Sequence, residues 1–261
     1  MMRILVTFAV KAEFSQWCSR HPFVPYEFEN WEKRRDFDLF KANFSSNEIT
    51  VLLTGMGREN AEEAMRTLLI EMHDVCISAG LAGALESSLK PGDVVVARTS
   101  KTLDKKLRVE SEVALVDFAL TCGARAVNIS LTSEKIVATA DEKQELSASG
   151  SIVDMETSYV LTAAENHHVP AVAIRAISDA AEEDLPVDFG RILDSHGNLK
   201  YGGLFKEVGL HPYRLAPLIK FAGQSRDAAG ALADFLDRFV SAIAAKWIGV
   251  PSRNVEEVSA T

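Results

Sequence analysis

The residues best suited to chemistry fall in the stretch 152–179, IVDMETSYVLTAAENHHVPAVAIRAISD. It carries Asp154, Met155 and Glu156 at its front and Ser178 and Asp179 at its back. Between them the pattern reads strand, helix, strand. Ser151 to Val153 is short and apolar, Tyr159, Val160, Ala163 and Ala164 recur at helical spacing, and Ala171 to Ile177 is an apolar run interrupted only by Arg175. Such a run is expected of a strand covered on both faces of a parallel sheet. In sheets of this kind ligands bind beyond the carboxyl ends of the strands, so Glu156 and Asp179 fall at neighbouring strand ends where a site belongs. Carboxyl groups so placed are the type that moves protons.

The elements that must hold these groups can be read in chain order. Arg3 to Ala9 reads as a strand, followed by a helix with Phe14 and Trp17 inward and Glu13 in its first turn. By residue type alone, Glu13 there does no more than complement the helix dipole. The stretch 22–47 mixes aromatics (Phe28, Trp31, Phe37, Phe40, Phe44) with charges and predicts strands or a hairpin with a polar outer face. Glu48 to Thr54 is a strand, and Gly55-Met56-Gly57 leads from it into a helix over about 59–72, a turn that lets backbone N–H groups approach an oxygen-rich or anionic ligand. A dinucleotide fingerprint would need a third glycine where Asn60 stands. Asp74 to Ser78 predicts another strand, ending in a second small-residue turn, Ala79 to Ala84. Strands at 94–97 and 126–131 and helices at 110–121 and 141–146 come next. A polar excursion comes after Asp179, and an amphipathic helix runs over about 226–247. This alternation predicts an α/β fold, a three-layer α/β/α sandwich around a mostly parallel or mixed sheet. We expect one domain over 1–248 with a lid-like insert at about 184–224, and a disordered tail over 249–261.

Composition narrows the partners. The chain has 261 residues, 47% of them hydrophobic, and a formal net charge of -9, so it has no basic field to attract nucleic acid. No apolar stretch approaches the roughly 20 residues of a membrane span. Cys18, Cys76 and Cys122 are odd in number and widely spaced, which suits reduced thiols in a cytoplasm better than disulfides or zinc. No metal-ligand cluster is visible. His167-His168 sits at a helix end and reads as a solvated cap.

Taken together, strand-Gly-x-Gly, strand-x-Gly-x-Ala-Gly, Val153-Asp154-Met155-Glu156 at a helix start and Arg175-Ala176-Ile177-Ser178-Asp179 at a strand end resemble the purine and uridine phosphorylase superfamily. Within it the chain looks most like the methylthioadenosine/adenosylhomocysteine nucleosidases. The resemblance covers Met2 to about Asp179 and the final helix. It implies a central mixed sheet, partly barrel-like, and cleavage of the N-ribosyl bond of a purine nucleoside in a homodimer.

By the same resemblance Asp179 is the general acid at purine N7, although by type alone it would equally cap a helix starting at Ala180. Glu156 accepts from the ribose hydroxyls, Met155 packs on the ribose, and Glu13 activates water on the opposite face of the sugar. Ile136 and Val137 fall where the family stacks an aromatic residue on the base, and the expected Phe is absent. Ala82, Gly83, Gly57 and Ser178 complete the expected substrate contacts. No cofactor is implied. Inorganic phosphate enters only as the co-substrate of a phosphorylase, a reading kept open by Arg58 beside the glycine turn and by the insert, which resembles that of hopanoid-associated phosphorylases. Against it, Ser78 stands where phosphorylases carry an arginine, and Glu13 would repel a dianion. A nucleoside-binding relative without turnover is the third reading.

Overall fold

Apolar side chains alternate along the strands, and the alternation sorts the molecule into layers. The computed structural model describes residues 2–26, 37–44, 47–68, 73–187 and 215–246. In chain order the elements are β1 (Arg3–Phe8), α1 (Lys11–Cys18), β2 (Val24–Pro25), β3 (Asp38–Phe44), β4 (Asn47–Leu53), α2 (Arg58–Leu68), β5 (Val75–Ala84) and β6 (Val94–Thr102). They continue with β7 (Arg108–Glu110), α3 (Val113–Thr121), β8 (Arg125–Thr132), α4 (Ala140–Leu146), β9 (Ile152–Asp154), α5 (Thr157–Asn166), β10 (Ala171–Asp179) and a last helix, α6 (Leu215–Lys246). Ile4, Val6 and Phe8 of β1 and Val172, Ile174 and Ala176 of β10 pack with Phe14, Trp17, Leu115 and the apolar face of α6. The opposite-facing Leu5, Ala173 and Ile177 pack with Ala61, Met65, Val160 and Ala164 of α2 and α5. The expected three layers result, with α1, α3 and α6 on one face of the sheet and α2 and α5 on the other.

The sheet is mixed and partly closed. β10 pairs in parallel with β5 and antiparallel with β6, β6 in parallel with β8, β8 in parallel with β9, and β9 antiparallel with β5, which completes a ring. From β5 the sheet extends through β1 and β4, both parallel, to the antiparallel β3 and β2. Closure brings the ends of β5, β9 and β10 to one place.

Two expectations need correcting. Ala79 to Ala84 is not a turn but the second half of β5, which runs unbroken from Val75 to Ala84. Its small residues make room for side chains from elsewhere. A Cβ on Gly80 would stand 2.9 Å from Glu13 Oε1, and one on Gly83 would stand 3.0 Å from Asp179 Oδ2. The last helix starts at Leu215, not near 226, because Pro217 falls in its first turn, where a missing N–H costs no intrahelical bond. The strands expected within 22–47 are met by β2 and β3, which pair antiparallel. Phe28, Trp31, residues 188–214 of the insert and the tail lie outside the described residues.

Candidate active site

Asp154 ends the short β9, buried, and organises the start of α5. Its Oδ1 accepts from the backbone N–H of Glu156 at 3.1 Å and Thr157 at 3.0 Å, the free donors of that helix end. The Ser130 and Thr157 hydroxyls donate to Oδ2, and Arg175 Nε lies 3.3 Å from it. The Arg175 guanidinium, buried on β10, also donates to Ser78 O at 2.6 Å, to Ser78 Oγ at 3.0 Å and to Thr157 Oγ1. Asp154 and Arg175 are therefore a buried pair with several hydrogen bonds, the condition under which such a pair is tolerated. Ser78, read from sequence as a gap in phosphate binding, is a partner of this guanidinium.

So anchored, Glu156 turns its carboxyl back toward the glycine turn, where Oε1 accepts from Gly57 N–H at 2.7 Å. Gly57 has φ +82° and Gly55 φ +77°, a left-handed backbone that suits glycine. The Gly57 N–H is thus spent on Glu156, and Met56 is the residue of this turn that lines the cavity. Enclosure of the Glu156 carboxyl, then the charges of Asp154 and Glu13, push its pKa up to about 8, the Gly57 bond opposing.

Glu13 reaches back over the start of its own helix. Oε2 accepts from Ala9 N–H at 2.9 Å and Val10 N–H at 3.3 Å, and Oε1 from Leu81 N–H of β5 at 2.7 Å. Burial raises its pKa, against the pull of these donors and of Arg175. A niche of about 10 Å³, lined by Glu13, Glu156, Arg175, Ser78 and Thr54 among others, lies between them. That is about the room one water needs.

Asp179 ends β10 next to an irregularity. Ile177 faces Ala82, yet Asp179 faces Gly83, so a bulge at Ser178 shifts the acid onto the residue lacking a side chain. The Ser178 hydroxyl lies 2.6 Å from Asp179 Oδ1 and 3.2 Å from Ala82 O. Asp179 Oδ2 accepts from Lys143 Nζ at 2.5 Å, and this lysine of α4 is fully buried.

Glu13, Met155, Glu156, Ser178, Asp179, Ile136, Val137, Ala82 and Gly83 all line one cavity of about 770 Å³. Its size lies within the usual range for small-molecule sites. The far wall comes from α1 (Ala12, Ser15, Gln16) and α6 (Leu218, Phe221, Ala222, Ser225, Arg226). Arg58 is not brought to it. Its side chain pairs with Glu62 at 2.9 Å and Glu134 at 3.9 Å and lies over the Tyr159 ring. Sequence reasoning missed Lys143 and the structural roles of Asp154 and Arg175. The last two were visible as charged members of apolar strand patterns, whereas nothing in the polar run of α4 marks Lys143 as buried.

Fold and site together define an α/β protein with a partly closed mixed sheet and a carboxyl-lined cavity at its strand ends. A family model described as the phosphorylase superfamily matches residues 3–196, and the chain belongs to that superfamily. It is 27% identical over 187 residues to 5'-methylthioadenosine/S-adenosylhomocysteine nucleosidases of Bacillus thuringiensis (strain Al Hakam) and Bacillus anthracis (strain A0248). These matches cover 60% of this chain and 79% of each relative. Among solved structures, its fold is similar to native futalosine hydrolase of Helicobacter pylori (TM-score 0.69, 17% identity, 92% of this chain and 97% of that one). It is equally similar to the Neisseria meningitidis 5'-methylthioadenosine/S-adenosylhomocysteine nucleosidase in complex with methylthio-immucillin-A (TM-score 0.69, 19% identity, 92% and 99%).

Proposed function

We propose that this protein hydrolyses the N-ribosyl bond of a purine nucleoside, a 5'-modified adenosine, and frees adenine. The observation that carries hydrolysis is the niche between Glu13, Glu156 and Arg175, which has room for about one water and is small for a phosphate ion. Arg58, committed to Glu62 and Glu134 away from the cavity, gives phosphate no support. In this reading water oxygen bonds to the anomeric carbon as the bond from that carbon to the base breaks. Glu13 takes a proton from the water, and the electron pair of the broken bond goes to the base, which receives a proton from Asp179 at N7. Glu156, mostly protonated in the free protein at neutral pH, accepts from the ribose hydroxyls, and the cationic sugar of the transition state favours its charged form. The half-buried Met155 packs on the ribose, while Ile136 and Val137 form the wall for the base.

The test is chromatographic assay of adenine from a 5'-alkylthioadenosine with and without phosphate. Release without phosphate is expected, and Asp179→Asn should lower kcat by about 10²- to 10⁴-fold. Turnover that requires phosphate would make the protein a phosphorylase. Binding of nucleosides with no base freed would make it a non-catalytic relative, and unchanged turnover in Asp179→Asn would overturn the assigned acid.

A further inference from the structure

We propose that Lys143 is a positioning residue for Asp179, fixing which carboxylate oxygen addresses the departing base. This rests on the reading of Asp179 as the acid that protonates the base. Lys143 is 0% exposed, on a helix whose neighbouring residues Glu142 and Gln144 are exposed. An ammonium group has three donors, and all three are placed: Asp179 Oδ2 at 2.5 Å, Glu183 O at 2.7 Å and Ala180 O at 2.9 Å. On the other side of Oδ2 stands Gly83, where even a methyl group would come within 3.0 Å of it. Oδ2 is thus boxed between a committed donor and the backbone of β5. Oδ1 is met only by the adjacent Ser178 hydroxyl among the described residues, and since Asp179 lines the cavity, Oδ1 is the oxygen we assign to the base.

The same lysine ties Asp179 to the wall where the base would lie. Ala180 and Glu183, whose carbonyls it holds, begin the turn that leads to Leu185, which lines the cavity. That turn is bonded back to the start of α4, through Leu185 N–H to Ala138 O at 2.7 Å and Ala140 N–H to Asp184 Oδ1 at 2.8 Å. Lys143 is the side chain common to the acid, the turn and the helix that comes after Ile136 and Val137. A purely structural staple would need the two carbonyls but not the carboxylate. The bond to Asp179 Oδ2 is the part that bears on chemistry, because misplacing a reacting group by about 1 Å costs about 10²-fold in rate.

The experiment measures kcat and KM for base release, and the thermal midpoint, in Lys143→Met, Lys143→Gln and Lys143→Met/Asp179→Asn. Lys143→Met should lower kcat about 100-fold with KM within about threefold, since ground-state binding is left nearly unchanged. Lys143→Gln, which keeps a donor, should recover part of that loss and supplies the folded variant should Met at this buried site prevent folding. Added to Asp179→Asn, the lysine change should cost little more, because both act through one carboxyl group. Three results overturn the inference: kcat within threefold of wild type in a folded lysine variant, a loss carried by KM alone, or full additivity in the double variant. If the wild type frees no base from any purine nucleoside, the reading of the site fails and this inference with it. Failure of the inference alone shows instead as an active wild type matched by its lysine variants.

Discussion

Glu156 does its proposed work from an environment that resists its charge. Its carboxyl is enclosed and lies near Asp154 and Glu13, and its pKa stands at about 8 against an ordinary 4.5. The folded state then binds more protons than the unfolded chain between those values, so the stability linked to this group is present at low pH and lost as pH rises from about 4.5 to about 8. The difference amounts to a few kcal/mol at most. Glu156→Gln removes the titration while keeping the shape. We expect it to melt at a higher temperature than wild type at pH 8, to lose that advantage near pH 5, and to lose turnover throughout. Thermal melts of both proteins from pH 5 to pH 9 decide this, and parallel curves would mean that the carboxyl is not strained by its surroundings. A site that costs stability in order to hold charge is where local rules are expected to be broken.

At the scale of elements, the width of the cavity depends on how α1 and α6 are held together, because one wall of the cavity comes from each. Asp237 of α6 is the pin. Its Oδ1 accepts from Trp17 Nε1 at 2.7 Å and lies 2.6 Å from His21 Nε2, and its Oδ2 is 3.5 Å from Arg20, which also pairs with Asp234. Trp17 is buried among Phe8, Phe14, Phe23 and Phe44, so its indole N–H has no access to bulk water. Removing the acceptor, itself about a third exposed at 34%, costs the hydrogen bond while water can enter the gap, a loss of about 0.5–1.5 kcal/mol. Asp237→Ala should therefore lower stability by about that amount in chemical denaturation. It should also raise KM more than it lowers kcat, since the wall shifts while Glu13, held by Ala9, Val10 and Leu81, stays. Unchanged KM would show that the helix pair does not set the cavity. The apolar stripe of α6 was legible in the sequence, whereas its first three turns lie mostly within the expected insert at about 184–224, since a proline counts as a helix break when its place in the first turn is unknown.

For the whole molecule, legibility tracks sequence distance. The alternation of strands and helices along the chain, and the placing of Glu156 and Asp179 at strand ends, could be read because each rests on a local pattern. Lys143 with Asp179 joins residues 36 apart, and Arg175 with Ser78 joins residues 97 apart, so only the closed ring of strands brings them together. The glycines of β5 misled for the same reason, since what they make room for comes from α1 and β10. A consequence for the molecule as a whole comes from His73, buried just before β5. Burial, then Arg3 and Lys41, lower its pKa from 6.5 to about 4. It is held neutral, so the stability linked to it is present above about 6.5 and lost as pH falls toward 4. Glu156 acts with the opposite sign between about 4.5 and 8. In the overlap from about 4.5 to 6.5 one extra proton on the unfolded chain balances one on the folded chain, and the two slopes cancel. Above that range the Glu156 loss continues, and Glu13, whose pKa burial also raises, acts in the same direction. Thermal midpoints should thus form a plateau at about pH 4.5–6.5 and decline toward pH 8. His73→Leu should turn the plateau into a fall, because it deletes the contribution that opposes Glu156. A wild-type midpoint that rises steadily from pH 5 to pH 8 would contradict this balance and point to carboxylates stabilised by folding as the dominant titrating groups.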